Sequence, residues 1–150
     1  SAASDVYKRQ IFIVKYHYLV SDKIDWTPYK GFVYTFDETK DIAWLYLVSD
    51  MLITDYSSVM FDYSILNRPM LFFAYDLEDY KENLRGFYFD FVNDIPGPIS
   101  RDTDQLIKDI KEYNEDSWKE KYKNYHDKFN GIDDGHASQK VIDVIKKVSR

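Results

Sequence analysis

Apolar positions fall in short blocks along the chain, and the blocks define the elements. Ile11-Phe12-Ile13-Val14 is a β-branched and aromatic run that reads as a strand buried on both faces, ending at Lys15-Tyr16-His17. A loop follows over 21–30, with Pro28 as a breaker, before a second strand over 31–36. Ile42, Leu45, Tyr46 and Val48 recur at helical spacing, with Thr39 or Asp41 placed to cap that helix. Met51-Leu52-Ile53-Thr54 predicts a third strand, left through the turn Asp55-Tyr56-Ser57-Ser58. The next helix carries Val59, Phe61, Ser64, Ile65 and Leu66 and stops before Arg68-Pro69. Met70-Leu71-Phe72-Phe73-Ala74 is a fourth strand, and 75–100 reads as an aromatic, charged connection. The remainder is helical over 103–113, 116–129 and 137–148, with Gly131 and Gly135 at the last break.

Strands alternating with helices from residue 11 to 74 imply βαβ units, an α/β fold with a mostly parallel sheet. The helical tail is expected to cover one face or edge of it. In such a sheet ligands bind at the carboxyl ends of the strands. The polar residues there are His17 after the first strand, Thr54 to Ser58 after the third, and Asp76 after the fourth.

Composition narrows the chemistry. Of 150 residues, 20 are Lys or Arg and 26 Asp or Glu, a net charge of −6, which argues against a nucleic-acid-coating protein. There is no cysteine, so disulfide scaffolds, thiolate zinc sites and cysteine nucleophiles are excluded. No apolar run approaches the roughly 20 residues of a membrane span, and no signal-peptide pattern is visible, so a reducing, cytoplasmic setting is expected. The chain opens without Met and enters its first strand almost at once. Residues 1–10 are treated as candidate appended or read-end sequence, and 11–150 as one partial domain. Aromatic residues make up 18% of the chain. In the tail, Trp118, Tyr122, Tyr125 and Phe129 recur at spacings of three and four, which packing explains. The Lys-rich stretch from Lys119 to Lys128 offers a membrane contact instead, although acidic residues interleave it.

Two readings stay open for most candidate site residues. Ser57 and Ser58 sit where a strand turns into a helix, so backbone N–H groups, the helix dipole and two hydroxyls suit a phosphate. The other reading, which spacing alone favours, is that Ser57 is an ordinary N-cap worth about 1 kcal/mol. Asp62, four residues past Ser58 on the same helix face, either accepts from sugar hydroxyls of a nucleotide or is a solvated acid. His17 either presents a ring N–H to a phosphoryl oxygen, with Lys15 adding charge, or is a structural donor. His126 reads as a surface residue and His136 as part of a loop that closes over a ligand or merely starts the last helix. No pair of histidines has metal-ligand spacing, and there is no G-x-G-x-x-G, Walker loop or G-x-S-x-G elbow.

Longer words are more specific. Lys15-Tyr16-His17, Ser49-Asp50-Met51-Leu52-Ile53-Thr54-Asp55-Tyr56-Ser57-Ser58-Val59-Met60-Phe61-Asp62-Tyr63, Arg68-Pro69 and Phe72-Phe73-Ala74-Tyr75-Asp76 occur in that order. Arg85-Gly86-Phe87-Tyr88, Pro96-Gly97-Pro98-Ile99 and Asp134-Gly135-His136-Ala137-Ser138 follow. From Ile11 onward the chain resembles the CDP-glycerol:poly(glycerophosphate) glycerophosphotransferases, the teichoic acid polymerases and primases of Gram-positive cell walls. The resemblance implies a GT-B architecture, of which this chain is most of the C-terminal, Rossmann-like, nucleotide-binding half, truncated at its N-terminus.

That resemblance implies a reaction and a site. Glycerol phosphate passes from CDP-glycerol to a growing poly(glycerol phosphate) chain and CMP is released; ribitol phosphate, or the sugar of a nucleotide-sugar donor, is the alternative cargo. Lys15, Tyr16 and His17 would touch the donor pyrophosphate, His17 being catalytic in easing departure of CMP. Thr54, Ser57 and Ser58 would hold the phosphates and Asp62 the nucleotide, with Arg85, Asp134 and Gly135 as further cleft contacts. Lys15 stands where Arg is as often expected, which keeps the charge but not a bidentate grip. The family's general base is a histidine of the N-terminal half, so this fragment is expected to be inactive alone. No resident cofactor is implied, and assistance by a divalent cation is left open. The implied partners are CDP-glycerol and a lipid-linked teichoic acid acceptor, with the full-length protein peripheral on the cytoplasmic face of the membrane. With the first strand of the half missing, the strands at Ile11 and Met51 lose a shared neighbour. Marginal stability, or direct pairing of those two strands, is the expectation.

Overall fold

The computed structural model describes residues 10–17, 24–37, 39–77 and 89–148. The chain divides after Val48 into two compact units.

In the first unit, β1 (Phe12–Val14) and β2 (Val33–Thr35) pair in parallel, with Phe12 opposite Val33 and Val14 opposite Thr35. A 3-10 turn at Thr27–Tyr29, with Pro28 at its start, lies between them. The Tyr16 hydroxyl ties the intervening segment down, accepting from Trp26 Nε1 at 2.6 Å and from the Ile24 N–H at 3.1 Å. Helix α1 (Ile42–Val48) starts at Asp41, whose carboxylate accepts the Ala43 N–H at 2.9 Å. Asp41 therefore caps this helix, and Thr39 is held instead by Asp37. The expectation that the first strand is buried on both faces is not met: Ile11 is 60% exposed and Phe12 39%. A ladder of two strands has too little surface to cover both of its faces.

The second unit is built on a three-stranded parallel sheet. Its order is β3 (Leu52–Thr54), β4 (Met70–Phe73), β5 (Ile99–Ser100), with Thr54 opposite Phe72 and Phe73 opposite Ser100. The ladders are thus β1–β2 and β3–β4–β5, and direct pairing of β1 with β3 is not among them. β4 is the central strand, and Met70, Leu71 and Phe72 are buried, as a doubly covered parallel strand requires. Helix α2 (Val59–Ser64) follows β3, and the short α3 (Phe91–Asp94), capped by Asp90, sets Phe91 edge-on to Phe72 at 5.6 Å between ring centroids. β5 was hidden in the sequence as connection. It is two residues long and follows Pro98, whose carbonyl still accepts the Phe72 N–H at 3.0 Å. Gly97 is required there, because a Cβ would meet the Met70 carbonyl oxygen at 1.9 Å.

The helical tail covers this sheet only in part. Helix α4 (Thr103–Glu112), capped by Asp102, lies along β4 and β5, and Asp109 accepts the Ser100 hydroxyl at 2.7 Å. Helix α5 (Lys119–Phe129) packs on α2 through an aromatic cluster, with Phe61 5.1 Å from Phe129 and 5.9 Å from Tyr125. The aromatic spacing of the tail is therefore packing for Tyr122 and Tyr125, both buried. In the same stretch Lys123 pairs with Asp127, and Lys128 with Asp94 at 2.6 Å. Buried Asn130 donates to the Phe61 carbonyl at 3.0 Å, and the buried Ser64 hydroxyl lies 2.8 Å from its side-chain oxygen. Helix α6 (Ala137–Val148) buries none of its residues. Among the described residues no helix is long and apolar enough to cross a membrane.

Two tyrosines one turn apart on α5 play opposite roles. The Tyr122 hydroxyl accepts the N–H of Met70, the first amide of β4, at 3.2 Å, while the buried Tyr125 hydroxyl has no partner among the described residues. Burial pushes the Tyr122 phenol up to about 12. Tyr122→Phe orphans a buried backbone donor and is expected to cost about 1–3 kcal/mol. Tyr125→Phe removes an unsatisfied group and is expected to be neutral or stabilising by up to about 1 kcal/mol. Urea unfolding of the two variants checks the difference in sign.

Candidate functional site

The carboxyl end of β3 brings together four of the candidate residues, Thr54, Ser57, Ser58 and Asp62, by chain continuity alone. Thr54 closes the strand, half-buried. The Asp55 carboxylate then folds back and accepts the Ser57 N–H at 2.7 Å, a local turn that fixes the backbone before the helix. The Ser57 carbonyl accepts the Met60 N–H at 3.2 Å and the Ser58 carbonyl the Phe61 N–H at 3.0 Å, which opens α2. Ser58 occupies the cap position with helical dihedrals (φ −60°, ψ −13°), and its side chain makes no capping bond. The ordinary-cap reading of this pair therefore fails: Asp55 fixes the turn, and neither serine hydroxyl has a partner among the described residues. Ser57 is half-buried and Ser58 exposed. Asp62 is exposed further along α2, with its carboxylate likewise unpartnered among the described residues.

Tyr56 lies inside this turn and reaches sideways. Its hydroxyl sits 3.0 and 2.9 Å from the two oxygens of Asp76, the residue placed after β4. Burial, then the Asp76 carboxylate, raises this phenol well above its ordinary value, so it stays protonated and donates. The opposite end of α2 is also anchored. The fully buried Tyr63 donates to the Ser49 carbonyl at 2.9 Å, and Arg68 donates to the same oxygen at 2.7 Å.

The other candidates belong to other segments of the chain. Lys15, Tyr16 and His17 follow β1 in the first unit, Lys15 and His17 exposed and Tyr16 half-buried. Asp134 accepts the His136 N–H at 2.9 Å and pairs with Lys140 at 2.9 Å, and the Lys140 ammonium holds its carboxyl below the ordinary range. With Gly135 at φ +77°, this loop starts α6, so the visible work of Asp134 is local. Arg85 lies outside the described residues. No group of three or more His, Asp or Glu among the described residues is arranged to hold a metal ion. A concavity of about 380 Å³ in the first unit is lined by Ile11, Ile13, Tyr34, Thr35, Phe36 and Asp37. That lining holds no cation, so it does not suit a diphosphate.

Parallel ladders alternating with helices, together with the likeness to the TagF structure, define a GT-B-like fold. The chain belongs to the CDP-Glycerol:Poly(glycerophosphate) glycerophosphotransferase family, whose profile matches residues 2–147. It is 45% identical over 139 residues to the teichoic acid poly(glycerol phosphate) polymerase of Bacillus subtilis (strain 168), covering 91% of this chain and 19% of that protein. It is 42% identical over 139 residues to the teichoic acid glycerol-phosphate transferase of Staphylococcus aureus (strain NCTC 8325 / PS 47), covering 91% of this chain and 35% of that one. Among solved structures, the wall teichoic acid polymerase TagF matches 96% of this chain and 36% of its own with a TM-score of 0.81 at 40% identity. The chain thus spans about a fifth to a third of the length of the curated relatives named here.

The two acids of this turn are expected to separate cleanly. Asp55→Ala removes the acceptor of the Ser57 N–H and should lower stability by about 1 kcal/mol, with Asp55→Asn retaining most of it. Asp62→Ala, which breaks no contact among the described residues, should stay within about 0.5 kcal/mol of the parent. Urea midpoints of the three variants make the comparison.

Proposed function

We propose that this chain supplies the donor-binding part of an enzyme that transfers glycerol phosphate from CDP-glycerol to a growing poly(glycerol phosphate) teichoic acid chain, releasing CMP. The observation that carries the reading is the turn after β3: its backbone is fixed by Asp55, and its two serine hydroxyls have no partner among the described residues. Family membership and the names of the relatives support the same donor, and a substituted form of TagF has been solved after a soak with CDPG.

In this reading a glycerol hydroxyl of the lipid-linked acceptor attacks the β-phosphorus of CDP-glycerol. The bond from that phosphorus to the bridging oxygen breaks, its electron pair leaves with CMP, and the hydroxyl proton goes to a base outside this chain. Such a transfer needs alignment and neutralisation of spreading negative charge more than covalent help. Thr54, Ser57 and Ser58 hold the diphosphate and Asp62 accepts from the nucleotide sugar. Lys15 and Tyr16 meet the pyrophosphate, and the His17 imidazole donates to the oxygen on which charge develops. Arg85, Asp134 and Gly135 complete the cleft contacts. The enzyme works peripherally on the cytoplasmic face of the membrane, where a lipid-linked acceptor is reached. A ribitol-phosphate cargo is the second reading, because a teichoic acid poly(ribitol-phosphate) polymerase of Bacillus spizizenii (strain ATCC 23059 / NRRL B-14472 / W23) is also 42% identical.

Calorimetric titration tests the assignment. CMP and CDP-glycerol should bind and UMP should not, and the double substitution Ser57→Ala/Ser58→Ala should weaken CMP binding by about tenfold or more. Indifference to all three ligands, or unchanged affinity in the double variant, overturns it.

A further inference from the structure

We propose that Tyr56 and Asp76 are positioning residues for the donor site, a clamp that holds the serine turn in register with the end of the neighbouring strand. This rests on the reading of that turn as the diphosphate cradle. β3 and β4 are adjacent and parallel, with Thr54 opposite Phe72, so the turns that leave them emerge at the same end of the sheet. Parallel neighbours share hydrogen bonds only along the ladder, and beyond Thr54 the two turns have no ladder to hold them. The Tyr56 hydroxyl closes that gap, spanning 20 positions of sequence to reach both oxygens of Asp76.

The receiving carboxylate is itself well placed. Ala74, two residues before it, and Leu77, the residue after it, are each 1% exposed, so buried side chains anchor the segment that carries Asp76 although Tyr75 between them is exposed. The raised phenol keeps its proton through the neutral range, so the donor persists wherever the enzyme works. Asp55 fixes the Ser57 N–H from one side while Tyr56 fixes the intervening residue from the other, and the two hydroxyls that follow remain available. A constellation held by a second layer of bonds while its own donors stay unspent is what a preorganised site requires.

The test is steady-state kinetics and CDP-glycerol binding on the intact protein. Tyr56→Phe and Asp76→Ala should each raise KM and the dissociation constant for CDP-glycerol by about tenfold, with kcat changed far less. Asp76→Asn, whose amide oxygen still accepts from the phenol, should recover to within about threefold of the parent. The double variant Tyr56→Phe/Asp76→Ala should be no worse than either single one, because both remove the same bond. Wild-type protein that binds no CDP-glycerol overturns the donor reading and the clamp with it. Wild-type protein that binds, with folded Tyr56→Phe and Asp76→Ala at parental KM, overturns the clamp alone. Should Tyr56→Phe fail to fold, Asp76→Ala against Asp76→Asn decides: equal KM in the two overturns the clamp, and a tenfold gap supports it.

Discussion

The burial of β4 is the constraint on which the second unit depends. A central parallel strand cannot show either face to water, so each of its neighbours is shaped to cover it. Tyr122 takes the amide that the strand's first residue would otherwise leave unpaired. Gly97 lets the incoming β5 segment approach the Met70 carbonyl more closely than any Cβ allows. Phe91 stands edge-on to Phe72, and α5 seals α2 from outside. Once β4 is fixed, its ladder sets the register of β3, and that register decides where Thr54 ends and the serine turn begins.

The turn shows a division of labour. Asp55 and Tyr56 spend their side-chain polar groups on the protein, whereas the Ser57 and Ser58 hydroxyls have no partner among the described residues. From Thr54 through Asp62 there are two carboxylates, Asp55 and Asp62, and no Lys or Arg. The turn itself therefore supplies no side-chain cation.

Legibility in the sequence followed the strength of the local signal. The helices at Ile42 and Ala137 and the strands at Leu52 and Met70 carry clear apolar periodicity, and they fall where it places them within a residue or two. β5 carried none, because two residues after a proline make no pattern; only the ladder to β4 defines it. Burial of β1 was overestimated from its composition, since an apolar run states what a strand prefers and not what is available to cover it. At the site, the serine pair was legible from its place between strand and helix. That its side chains would not cap the helix was not: Ser58 sits at the cap position without a capping bond, and the turn is tied instead by Asp55 through the Ser57 N–H at 2.7 Å. The Tyr56–Asp76 bond joins residues 20 positions apart, and no local spacing rule reaches that far.

The most direct test of the diphosphate cradle is residue-resolved NMR of the protein titrated with CMP. The account predicts that the largest amide shifts fall on Tyr56, Ser57, Ser58 and Val59, the residues that open α2. Shifts concentrated instead around Ile11, Ile13 and Tyr34, with the serine amides unmoved, would contradict it.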